Sequence, residues 1–222
     1  MVRKQNTKKS LDLELKLWPD YPVIVGVDEA GRGALAGPVI VAAVVLPTGF
    51  QNSLIQDSKI LSPSQRKRAY HLVKKVALEY GIIAKSAREI EEKNPLGATK
   101  EAMVEVTLKL KNKPDLCLVD GQEKIVVEGV KTISIIGGDR QSISIAAASV
   151  IAKVTRDEIM QKLHKKYPLY NWFENKGYPN KTHLTAIFRY GICDLHRKTY
   201  EPIKSLLKPN CDRKKLWEKY NL

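Results

Sequence analysis

A chain of 222 residues with 43% hydrophobic positions and no Pro/Ser-rich linker is expected to bury one core in a single compact domain. Lys and Arg outnumber Asp and Glu 38 to 24, a formal net charge of +14, which points to a polyanionic partner, nucleic acid or an anionic membrane surface. The apolar runs are too short to span a bilayer, the basic N-terminal stretch has no apolar h-region, and Cys117, Cys193 and Cys211 are odd in number and form no CxxC pair; these features argue against a membrane span and a zinc site and read as reduced thiols in a cytoplasmic protein, which is expected to be a monomer.

Residues 1–20 are polar and Lys-rich; the first ten are expected to fray, and Leu11, Leu13, Leu15 and Trp18 give the remainder the makings of a short edge helix. Residues 23–46, VIVGVDEAGRGALAGPVIVAAVVL, then read as two buried β-branched strands around a loop that opens on Asp28 and Glu29. A solvated turn is one reading of that loop. A dinucleotide fingerprint is another, but the spacing Gly31, Gly33, Gly37 is one residue too long and a strand follows where a helix belongs. The missing side chains of Gly31 and Gly33 are expected to let backbone N–H groups approach a bound partner.

Residues 56–59 form a polar loop ending in Lys59. Ser62-Pro63-Ser64-Gln65 starts a helix with Ala69, Val73, Val76, Ala77 and Tyr80 on one face, closed by Gly81, after which 82–87 read as a strand. Asn94-Pro95 starts a second helix with a core stripe of Leu96, Thr99, Met103, Val106 and Leu110. Pro114 breaks the chain. The apolar strand 116–119, with Cys117 as a small core residue, stops at Asp120-Gly121, and strand 132–136 runs into Gly137-Gly138-Asp139. A long helix opens at Ala146 with small residues and continues through Ile151, Val154, Ile159 and Leu163, with Lys153, Arg156 and Asp157 on its polar side. Lys176-Gly177-Tyr178-Pro179 is a tight loop presenting one aromatic. Asn180 caps the next helix, whose His183 reads as a packing or hydrogen-bonding residue, and 197–222 form either a terminal helix or a basic arm on phosphates.

One strand-end Asp is an ordinary turn former. Three buried strands stopping at acids are harder to read as turns, because ligand sites in such sheets gather at strand ends. Hard divalent cations with oxygen ligands relieve the repulsion among such acids, so Mg²⁺ or Mn²⁺ fits better than zinc.

The run VDEAGRGALAGPV resembles the opening motif of type 2 ribonuclease H (ribonuclease HII). DSK at 57–59, LVDG at 118–121, GGD at 137–139, AAASVIAKVTRD at 146–157 and KGYPNKTH at 176–183 resemble that family's later motifs in order. The resemblance implies an α/β ribonuclease H-like fold, a mixed central β-sheet flanked by helices with a helical C-terminal extension. It also implies a catalytic domain over 21–204, between the polar segment 1–20 and a basic tail or helix over 205–222.

By the same resemblance, Asp28, Glu29, Asp120 and Asp139 are the catalytic and metal-binding set. Asp139 is favoured over Asp157, and Glu29 contributes a carboxylate or its backbone carbonyl. Gly31, Arg32 and Gly33 are expected to meet the 2′-hydroxyl that distinguishes RNA from DNA. Tyr178 is expected on the sugar at the RNA–DNA junction, Lys59 beside a phosphate, and Lys153 in a structural or substrate-side role. The implied substrates are RNA–DNA hybrids and duplex DNA with embedded ribonucleotides, cut 5′ of the ribonucleotide to leave 3′-hydroxyl and 5′-phosphate ends. The alternatives are the related type 3 enzyme, disfavoured by Gly-Arg-Gly after the acidic pair, and a binding module without chemistry.

Overall fold

The computed structural model describes residues 12–55 and 58–222; Asp57 and the N-terminal residues expected to fray lie outside the described residues. In chain order the elements are α1 (Leu13–Leu17), β1 (Ile24–Ala30), β2 (Val39–Val45), α2 (Pro63–Val76), β3 (Glu79–Lys85), α3 (Ala87–Lys93) and α4 (Pro95–Leu108), then β4 (Leu116–Asp120) and β5 (Lys131–Ile135). A 3₁₀ turn at Gly138–Arg140 leads into α5 (Ile143–Lys166), and a second at Pro168–Tyr170 precedes α6 (Trp172–Asn175), α7 (Lys181–Tyr190), α8 (Ile203–Leu206) and α9 (Arg213–Lys219). Among the described residues the strands form one mixed sheet in the order β3-β2-β1-β4-β5, consistent with a ribonuclease H-like fold.

β1, β4 and β5 run parallel, with Val27 opposite Val119 and Asp120 opposite Ile135. β4, paired in parallel on both sides, is covered on both faces and reads as a continuous apolar run rather than an alternating one, and β2 is likewise buried along its whole length. Two compact units are distinguishable by their internal contacts, one made of Met1–Asp28, Ala42–Ile82 and Met103–Ile151, the other of Glu29–Val41, Ile83–Ala102 and Ala152–Leu222.

In the first unit, Trp18, Ile24, Leu116, Leu118 and Ile145 make a core on which Leu13 and Leu17 of α1 pack. A Cβ on Gly26 would lie 2.1 Å from the Ser144 carbonyl carbon, so the start of α5 rests directly on β1 at that glycine. That helix starts three residues earlier than its run of small residues indicates, because its orphan N–H groups are met from elsewhere. Ser142 Oγ accepts from Ile145 N at 3.1 Å, and the fully buried Glu14 accepts from Ser144 N at 2.9 Å, Ile143 N at 3.2 Å and the Ser142 hydroxyl.

Two sequence expectations are corrected here. α2 has the expected capping box at Ser62 and Gln65 but ends at Val76; Gly81 and Tyr80 belong to β3, and a Cβ on Gly81 would stand 2.9 Å from Val106 Cγ2 of α4. Ala87 opens α3 instead of ending a strand, because Ser86 and Glu89 form a second capping box.

In the second unit the core is Leu35, Ala36, Met160, Tyr170, Trp172, Leu184, Ala186, Ile187 and Ile203. The terminal basic stretch is helical at α9. Trp217 meets Phe188 edge-on at 5.5 Å, and Arg213 donates to the Phe188 carbonyl.

Candidate active site

In the first unit, Val27 and Val119 are the last paired residues of β1 and β4 whose register is shared, and Asp28 and Asp120 are the next residues on the two strands. Parallel neighbours lie about 4.8 Å apart and equivalent positions share a face, so these two carboxylates leave the sheet side by side. Asp28 is 4% exposed. Asp120 Oδ1 accepts from Gly138 N at 2.7 Å, and a Cβ on Gly138 would stand 3.3 Å from that oxygen. A side chain at Gly138 would crowd Ile145 Cδ1 at 2.6 Å as well as Asp120, so the glycine lets the turn after β5 close on Asp120.

That closure brings in Asp139, which is completely buried. Its Oδ2 accepts from Lys59 Nζ at 2.7 Å. Its Oδ1 is buried without a hydrogen-bond partner, with Arg140 Nε 3.8 Å away. Burial first, and the neighbouring Asp139 charge second, push the Asp120 carboxyl above its ordinary pKa, against the Gly138 N–H and Lys59, which pull it down. Lys59 is thus engaged by a carboxylate at its tip while its side chain stays 71% exposed.

A pair of repelling carboxylates with one buried oxygen lacking a donor is a donor set that fits a hard divalent cation. Among the described residues, no three Asp, Glu, His or Cys side chains stand together as a preformed ion cage. The expected gathering of four acids is represented by Asp120 against Asp139, with Asp28 beside Asp120 on the sheet. Glu29 points to the opposite face of β1 by strand alternation.

In the second unit, Glu29 Oε1 lies 3.4 Å from Arg32 Nε. The loop after Glu29 is held by two fully buried arginines, the chief site-supporting residues that sequence reasoning missed. Arg156 donates to the Pro38 carbonyl at 2.9 Å and the Ala36 carbonyl at 3.1 Å. Arg197 donates to Gly37 O at 2.9 Å and Arg32 O at 2.8 Å, and Tyr200 Oη also donates to Arg32 O at 2.7 Å. Arg156 is therefore not on a solvated face: loop carbonyls replace water around it, and burial lowers its pKa only to about 10, so it stays charged at neutral pH.

Gly31 also reads differently. It sits at φ +98, and a Cβ there would fall 2.0 Å from Arg156 Nε, so its missing side chain makes room for the arginine. A Cβ on Gly33 meets nothing within 4 Å, leaving Gly33 as the open position of the pair.

The KGYP loop belongs to the same unit and is tied to the glycine loop by Leu35 N donating to Gly177 O at 2.8 Å. The Tyr178 ring has the Arg156 guanidinium 4.9 Å and the Lys153 ammonium 5.6 Å from its centroid. Lys153 also pairs with Asp157 at 2.7 Å, one helical turn along α5, which accounts for Asp157 as an ion-pair partner. Gly31, Arg32, Gly33, Lys153 and Tyr178 thus lie in one unit, while Asp28, Asp120, Asp139 and Lys59 lie in the other.

Comparison with known proteins adds a family. The family model described as Ribonuclease HII matches residues 25–202. A ribonuclease HII from Mycoplasma capricolum is 45% identical over 201 residues, covering 90% of this chain and 97% of the relative. Among solved structures, the ribonuclease H2 of Pyrococcus horikoshii superposes with a TM-score of 0.70 at 26% identity over 90% of this chain and 99% of that one. A Bst-RNase HIII in complex with Mn²⁺ shares the fold at 18% identity and a TM-score of 0.62, covering 82% of this chain and 68% of its own.

Proposed function

The chain belongs to the ribonuclease HII family, whose members hydrolyse RNA in RNA–DNA hybrids endonucleolytically, and from that premise we propose that it cuts on the 5′ side of single ribonucleotides embedded in duplex DNA, acting as a cytoplasmic monomer. The observation that carries the reading is the pairing of Asp120 with a buried Asp139 that has one oxygen without a donor, beside Asp28 at the end of the adjacent strand.

Asp28, Asp120 and Asp139 would hold the divalent ions, with the backbone carbonyl of Glu29, whose side chain turns to the opposite face, as a further oxygen donor. Mg²⁺ or Mn²⁺ bound there supplies charge neutralisation at the scissile phosphate and activation of the attacking water. Lys59 keeps Oδ2 of Asp139 occupied, which reserves Oδ1 as the oxygen lacking a protein donor.

In the reaction, a water oxygen bonds to phosphorus and the P–O3′ bond breaks. The leaving oxygen takes up a proton as a 3′-hydroxyl, and the ribonucleotide keeps the 5′-phosphate. The 2′-hydroxyl lies on the ribonucleotide side of the broken bond and serves recognition. Gly33, where no side chain crowds the backbone, is suited to close contact with it, and Gly31 and Arg32 shape the loop around that contact. The Tyr178 ring, braced by Arg156 and Lys153, stacks on the next sugar and favours a deoxyribose.

The test is a metal titration of cleavage on a duplex with one ribonucleotide, beside an all-DNA duplex and an EDTA control. Metal-dependent cutting at the ribonucleotide's 5′ side is expected; cutting of the all-DNA duplex, or turnover in EDTA, would overturn the reading.

A further inference from the structure

The second unit contains a histidine pair that the reaction does not use. His183 and His196 are both buried, and their Nε2 atoms lie 3.2 Å apart. The surrounding partners fix where the protons sit. Cys193 N donates to His196 Nδ1 at 3.0 Å, so that nitrogen is an acceptor and His196 carries its proton on Nε2. That proton faces His183 Nε2, which also accepts from Trp172 Nε1 at 3.0 Å. With Nε2 an acceptor, the His183 proton sits on Nδ1, where the partner at 3.0 Å is the Tyr178 carbonyl.

Tyr178 is held at its backbone a second time, by its own N–H donating to Asn175 O at 2.9 Å. Asn175 in turn accepts from Gly177 N at 2.8 Å and donates to Tyr170 O at 2.7 Å. The KGYP loop therefore has a polar anchor on a rigid aromatic base, in which Tyr170 stacks on Trp172 at 5.2 Å and meets His196 at 4.6 Å.

We propose that the neutral His183–His196 pair is a positioning device for junction recognition, its fixed tautomers directing one N–H at the Tyr178 carbonyl and so setting where the Tyr178 ring presents itself to the substrate sugar. The proposal rests on the reading of Tyr178 as the junction-facing residue. It makes His183 a specificity-determining residue that never touches substrate. Neither histidine is a general base, since each has both ring nitrogens engaged within the protein.

The experiment compares His183→Asn with His183→Gln in the full chain. Asn can place an N–H donor near the position of Nδ1, whereas Gln reaches the Nε2 position and leaves the Tyr178 carbonyl without its donor. Both variants should lose stability. The readout is the ratio of kcat/KM on a single-ribonucleotide duplex to that on a long hybrid. His183→Gln should lower this ratio about tenfold and His183→Asn should restore most of it, the scale of one positioned hydrogen bond. Equal ratios for Asn and Gln would reduce the pair to a packing role and overturn the proposal.

Tyr178→Ala separates the two layers. If it leaves the ratio unchanged, the reading of Tyr178 fails; if it lowers the ratio while both His183 variants keep it, the positioning inference fails. Long-range ¹H–¹⁵N spectra of the wild type at pH 7 give a readout without turnover. The Nδ1–H tautomer is expected for His183 and Nε2–H for His196, and the reverse assignment would overturn the proposal.

Discussion

Asp120 and Asp139 illustrate why residues proposed to hold a cation are poor stabilisers. The Asp120 carboxyl is raised because its charged form is disfavoured by burial and by Asp139, so ionising Asp120 costs the fold stability that a bound cation would restore. Asp120→Asn keeps an oxygen for the Gly138 N–H and removes the repulsion. The metal-free variant should melt no lower than the wild type in a thermal scan, while the melting rise on adding Mn²⁺ shrinks and cleavage falls by on the order of a hundredfold or more. A variant that bound and cut normally would remove Asp120 from the ligand set. The glycines separate as cleanly. Gly31→Ala forces a left-handed φ on alanine and drives its Cβ into Arg156, a cost of about 2 kcal/mol in chemical denaturation, and the cost should shrink in an Arg156→Ala background. Gly33→Ala has open space, so its stability should stay within about 0.5 kcal/mol while binding to a ribonucleotide-containing duplex weakens. Unaltered binding would show that close backbone approach at Gly33 is not how the ribose is read.

At the level of elements, what could be read from the sequence was whatever announces itself locally. The apolar runs of β1, β2 and β4, the capping box of α2, Asn180 at the start of α7 and the acids at strand ends all signal within a few residues. The same Ser-x-x-Glu signal is present at Ser86–Glu89, but the apolar stretch before it reads as a strand that runs on to residue 87. The start of α5 could not be read locally, because its cap comes from Glu14, 128 residues upstream of Ser142. Likewise Arg156 reads as solvated from the sequence because its partners, the Ala36 and Pro38 carbonyls, are 120 and 118 residues away. Glu14 gives a test of this long-range capping. Its carboxylate sits at the positive end of a 24-residue helix and serves two of its first N–H groups. Glu14→Gln keeps the shape but removes the charge and should cost about 1–2 kcal/mol in urea denaturation, a loss that added salt should not reproduce in the wild type because the site is buried. A neutral result would mean that α5 is held by its packing on Gly26 rather than by its cap.

For the whole molecule, the net charge of +14 and the buried histidines set opposite demands on pH. Acidification strengthens attraction to a polyanion, since any group that titrates adds positive charge, yet it works against the fold. Burial pushes His183 down to about 4, and burial together with the neighbouring His183 pushes His196 down to about 3. Both folded-state values are below those of the unfolded chain, near 6.5 for a free histidine, so between about pH 6.5 and pH 4 the unfolded chain binds protons that the folded chain refuses. Stability conferred by the neutral pair is therefore complete above about pH 6.5 and declines as pH falls. At pH 5 each histidine withdraws up to about 2 kcal/mol, set by the 1.5 units separating that pH from the unfolded value. Asp120, with its folded value raised above the ordinary carboxylate, acts in the opposite sense: as pH falls through that raised value its protonation relieves the clash with Asp139. Urea denaturation at pH 7.5 and pH 5 should thus show a drop of up to about 4 kcal/mol for the wild type, and a smaller drop in a His183→Phe, His196→Phe double variant, whose lower starting stability is expected to vary less with acid over that range. An equal drop in both proteins would place the acid sensitivity outside the histidine pair.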